Sequence, residues 1–130
     1  MSSTEVKPTD IALRTRSRQL ELQYEGEPAY SLSCEYLRVY SPSAEVKGHG
    51  PGQEVLQTGK MNVAITAIKP VGNYALQLVF DDGHDTGLYS WSYFRELCVN
   101  QDSRWQDYLD RITAAGATRD PDVQVVKIGL

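Results

Sequence analysis

The sequence predicts a small α+β domain in which an antiparallel or mixed sheet carries two C-terminal helices packed on one side. Three observations predict it. Apolar residues alternate with polar ones at Ile11 and Leu13, and again at Leu20, Leu22 and Tyr24, as they do along half-buried strands. Val63 to Ile68 and Tyr74 to Phe80 are rich in β-branched and aromatic residues and flank the breaker sequence Pro70-Val71-Gly72-Asn73. Beyond them, Trp105, Tyr108, Leu109 and Ile112 recur at the spacing of one helical face.

Taken in order, residues 1–9 are polar and end near Pro8, which reads as a disordered lead-in. The first two strands form a hairpin around Arg16 to Arg18, and Ala29 to Leu32 adds a short third one. Ser33 can cap one or two helical turns that set Tyr36, Leu37 and Tyr40 on one side, and Pro42 ends them. From Ser41 to Lys60 there is almost no apolar period; a loop of that length in a compact domain is usually functional or mobile. In the second of the two central strands, Tyr74, Leu76, Leu78 and Phe80 share the core face. The turn Asp81-Asp82-Gly83-His84-Asp85-Thr86-Gly87 then leads to Ser90 or Ser92 as cap of a helix with Phe94, Leu97 and Cys98 inward. Asp102 caps the last helix and Gly116 stops it. This bounds one domain at residues 10–116, with 117–130 a flexible tail in which Val125 to Ile128 could add an edge strand.

At 130 residues the chain can bury about two-thirds of its unfolded surface in one core. A formal charge of -4 and a pI near 5.1 disfavour a phosphate-backbone binder, so nucleic acid is not an expected partner. The alternating Arg14, Arg16 and Arg18 read as solvated cover for a strand edge. Cys34 and Cys98 match no metal or disulfide spacing and are expected to be reduced. No segment is apolar over a membrane span and the start resembles no secretory signal, so the expected location is cytoplasmic, without membrane contact.

Four groups of residues could carry chemistry. His84 with Asp81, Asp82 and Asp85, joined by Cys34 or His49, has ligand types suited to iron or zinc, although acidic turns are more often solvated. Cys34 or Cys98 with His49 or His84 could make a nucleophile, but Cys98 between Leu97 and Val99 reads as core. Gly48-His49-Gly50-Pro51-Gly52 lacks the context of a phosphate loop and reads as a flap. Tyr36, Tyr40, Tyr89, Trp91 and Tyr93 gather aromatics near both loops, as a partner-binding groove would.

Tyr36-Leu37-Arg38-Val39-Tyr40-Ser41-Pro42, then Gly48 to Gln53, then Pro70 to Ala75, then Asp82-Gly83-His84 through Trp91 resemble bacterial stand-alone proteins similar to the N-terminal domain of gamma-butyrobetaine hydroxylase. Members are also similar to a domain appended to a chloroplast P-loop ATPase that carries iron-sulfur clusters. The resemblance therefore implies an accessory module. In the hydroxylase the domain holds structural zinc with three cysteines and a histidine; the matching positions here are Ser41, Ser43, Val46 and His84. Hydroxyls and a valine are not a zinc site, so the zinc does not carry over. Nor does the oxygenase activity, which belongs to a domain absent here.

The resulting expectation is a non-catalytic, cofactor-free module that binds a protein partner, with iron-sulfur assembly the pathway implied by resemblance. Its expected contacts are Tyr36, Arg38, His49, Gln53, Asp82, His84, Tyr89 and Trp91. The alternative is weak iron or zinc binding by His84, His49 and Asp82.

Overall fold

The computed structural model describes residues 6–123. The chain runs β1 (Asp10–Arg14), β2 (Gln19–Gln23), β3 (Tyr30–Ser33), α1 (Cys34–Val39), α2 (Ala44–Lys47), β4 (Ile65–Val71), β5 (Ala75–Phe80), β6 (Leu88–Ser90), α3 (Trp91–Val99) and α4 (Gln101–Ala114). The α+β class holds, but the described residues form two three-stranded antiparallel sheets, β1-β2-β3 and β4-β5-β6, not one. Each strand pairs with its neighbour in sequence, and the long excursion after α1 separates the two sets.

One core joins both sheets and α3. Leu20, Leu22 and Leu32 from the first sheet meet Leu76, Leu78 and Phe80 from the second, and Phe94 and Leu97 close over them. A smaller cluster of Val39, Tyr108 and Ile112 seats α4 against the end of α1. The inward face of α3 is the expected one, and Ser90 caps it by accepting from the Tyr93 amide.

Several local readings change. Pro70 and Val71 belong to β4, so the turn begins at Gly72, whose φ of 54° suits glycine. Since β4 lies at a sheet edge, it tolerates a proline that has no N–H to give. Tyr74 precedes β5 and is exposed, while Ala75 is buried. Asn100, not Asp102, precedes α4, and it makes no side-chain cap because it also ends α3. The strand β6 and the helix α2 are elements of three and four residues that periodicity does not detect.

Every residue of α1 is buried, including Glu35 and Arg38. A buried charge needs a partner, and each finds one far along the chain. Arg119 grips Glu35 with two bonds of 2.7 and 2.8 Å, while Arg38 Nε meets Asp82 at 2.9 Å. The carbonyls of Thr118 and Arg119 accept from Gly59 and Met61, so this stretch after Gly116 is tied to the body. Val125 to Ile128 lie outside the described residues.

Candidate functional site

Two features involve the segment that follows α1. The first is the corner where this segment meets the His84 turn. Ser41 Oγ lies 2.8 Å from His84 Nε2 and accepts from the Ser43 amide at 3.3 Å. Ser43 Oγ caps α2 by accepting from the Glu45 amide and stands 2.7 Å from Thr86 Oγ1, which donates to Glu45 Oε1. The result is a closed ring of hydrogen bonds that starts and ends on Glu45. Gly87 makes room for Ser41 beside this ring: a Cβ there would stand 2.4 Å from Ser41 Oγ.

Below this ring, Asp82 accepts from Arg38 at 2.9 Å, from Lys60 at 2.6 Å and from the His84 amide at 3.1 Å. Burial works against the carboxylate, but the Lys60, His84 and Arg38 donors outweigh it and bring its pKa down to about 2. For His84 the balance goes the other way. Burial and the nearby Arg38 charge lower its pKa, against weaker pulls from Glu45 and Asp82, so the ring is held neutral. Its Nδ1 is 3.4 Å from Glu45 Oε2, too poorly aligned for a hydrogen bond, so this buried nitrogen has no hydrogen-bond partner among the described residues.

Serine, imidazole and carboxylate in that order is the connectivity of a hydrolase relay. The exposures are inverted. Ser41 is 1% exposed and its oxygen is engaged by a neighbouring amide, whereas the Glu45 side chain is 64% exposed. Acyl transfer needs the reverse, an accessible nucleophile and a sheltered acid. The corner is a clip that fixes the start of the loop.

The second feature is a cleft of about 660 Å³ between that loop and helices α3 and α4. Val39, Val46 and Val55 form its apolar wall, and Tyr40 and Tyr93 its aromatic floor. The Tyr93 hydroxyl donates to the Tyr40 carbonyl and the Tyr40 hydroxyl to the Arg104 carbonyl, so both rings are fixed. Three cations cover them. Arg104 and Arg111 place their guanidinium carbons 5.3 and 5.7 Å from the Tyr40 ring, and the Lys47 ammonium is 4.8 Å from that of Tyr93.

The expected contact residues divide between these places and the core. Arg38, Asp82 and His84 meet at the corner. Tyr36 and Tyr89 are core residues, 1% and 0% exposed, with hydroxyls bonded to the Leu97 and Leu37 carbonyls; they present no surface to a partner. Trp91 sits elsewhere, donating to the Asn73 carbonyl. His49 and Gln53 are exposed on the loop. Tyr40 and Tyr93, two of the aromatics that the sequence suggests for a groove, do line the cleft, whereas Arg104, Arg111 and Lys47 are not expected at a site, since no local motif signals that α4 and the loop share a cleft.

Metal binding gains nothing from this geometry. Among the described residues no three His, Cys, Asp or Glu side chains gather to hold an ion. Asp82 already serves two cations, and His49 lies outside the His84 network. Both cysteines are free and buried, and burial raises their thiols, that of Cys98 to about 11, so the thiolate a nucleophile requires is scarce. No described helix is long and apolar enough to cross a membrane.

No curated protein matches the chain. A protein solved in solution by NMR is 51% identical over 97% of this chain and 99% of its own, with a TM-score of 0.80. A second NMR solution structure is 52% identical, covers 100% of this chain and 99% of its own, and has a TM-score of 0.76. A crystal structure from Acidithiobacillus ferrooxidans ATCC 23270, described as a protein of unknown function in the DUF971 family, is 35% identical over 74% of this chain and 97% of its own, with a TM-score of 0.60. The family model described as gamma-butyrobetaine hydroxylase-like, N-terminal, matches residues 11–95, well over half the chain. The chain belongs to the gamma-butyrobetaine hydroxylase-like N-terminal domain family.

Proposed function

We propose that this chain is a non-catalytic interaction module whose protein partner lies across the 46–55 loop and the cleft beneath it. One observation carries the reading: the loop is fastened at both ends and open in the middle. Its start is held by the Ser41, Ser43 and His84 clip. Its end is held by Lys60 on Asp82 and by the bonds from Gly59 and Met61 to the last described stretch. Between these anchors, His49, Pro51, Gln53 and Val55 are exposed, and Gly52, Glu54 and Val55 border the cleft. Fixed ends reduce the ordering cost of binding, and an exposed middle supplies the contact. A link to iron-sulfur assembly rests on the family resemblance alone.

A photo-reactive amino acid at Val55, with Lys69 on the exposed side of β4 as control, tests the reading in the native cell. The expected result is one discrete adduct from position 55 and none from position 69. Identical adduct patterns from both positions, or none from either, would discard the proposal.

A further inference from the structure

We infer that the cleft recognises an acidic segment of the partner, with a carboxylate seated among Lys47, Arg104 and Arg111 and an aliphatic neighbour against Val55. This rests on the reading of the cleft as the partner site. The cations come from two walls: Lys47 from the loop side, and Arg104 and Arg111 from α4, seven residues apart and so on one helical face. All three are held over fixed tyrosine rings before any ligand arrives.

Carboxylates also border the cleft, so net charge alone does not decide its preference; depth does. Glu96 pairs with Arg104 and Asp107 with Arg111, but the acids are 47% and 64% exposed against 28% and 37% for the arginines. The two arginines are thus less exposed than their counter-ions, which lie further toward solvent. Exposed pairs of this kind are weak and screened by water, so an incoming carboxylate can share the guanidinium groups at little cost. Glu54 is taken up locally, both oxygens accepting from the Gly52 amide. Lys47 has no carboxylate within ion-pair distance among the described residues; its described contact is the Tyr93 ring. An exposed ammonium at the edge of the cleft, with no counter-ion among the described residues, favours an acid over a base.

The test is an amide NMR titration of the full chain with a blocked hexapeptide of alternating glutamate and leucine, beside its lysine-leucine counterpart. The acidic peptide is expected to shift amides in the 46–55 and 104–111 segments, and the basic one to leave them in place. Lys47→Glu, which removes no hydrogen bond of the fold, is expected to weaken the acidic peptide by about tenfold. The inference is overturned if the two peptides act alike, if neither acts, or if Lys47→Glu binds as well as wild type. Should position 55 still capture a partner while the acidic peptide fails, the partner reading stands and the carboxylate assignment falls.

Discussion

Asp82 shows how much one side chain can organise. It neutralises Arg38, whose side chain is 8% exposed, tethers Lys60 and accepts the His84 amide, so it joins α1, the end of the loop and the turn. Lowering its pKa from 3.8 to about 2 corresponds to roughly 2 kcal/mol of stability, present above the unfolded value and lost as pH falls through the folded one. Asp82→Asn is therefore expected to cost about 2 to 4 kcal/mol by urea unfolding at neutral pH, because it also strands Arg38. His84 acts in a higher window. Its folded pKa lies below the ordinary 6.5, so the unfolded chain takes the proton first and stability declines as pH drops below that value. Thermal melts between about pH 7.5 and 5 should show this decline in the wild type and a smaller one in His84→Gln. An unchanged slope in the variant would remove His84 from the account.

At the scale of elements, α1 is the axis. A short helix buried on every side could have been all hydrocarbon, yet it carries an acid and a base whose partners lie 84 and 44 residues away. Arg119→Ala is expected to cost about 2 to 4 kcal/mol in chemical denaturation, because it leaves the Glu35 carboxylate buried and unpaired. A loss under about 0.5 kcal/mol would mean that water replaces the arginine. The sequence shows the hairpin and the inward face of α3 because their periods repeat over several residues. It does not show β6 or α2, which have too few residues for a period. Nor does it show the His84 clip or the cation-lined cleft. Ser41 and His84 lie 43 positions apart, and Tyr40 and Arg111 lie 71 apart, so their meeting is a product of the fold.

For the whole molecule, the hydroxyl and imidazole clip joins the 41–47 segment to the 81–87 turn through hydrogen bonds of Ser41, Ser43, Glu45, His84 and Thr86. Packing across both sheets and α3, with the Arg38–Asp82 and Arg119–Glu35 pairs, adds to this cohesion. A chelator is accordingly expected to leave the melting temperature of the purified, tag-free protein unchanged, read by calorimetry with and without added zinc or iron. A drop reversed by either metal would contradict that. A further consequence concerns crowding. Proteins polymerise through sheets when a bare rim offers an unbroken line of amides to a newcomer, and Pro70 interrupts that line on β4. Fibril growth along this border has to step over a missing proton, which favours a monodisperse solution even when the chain is concentrated.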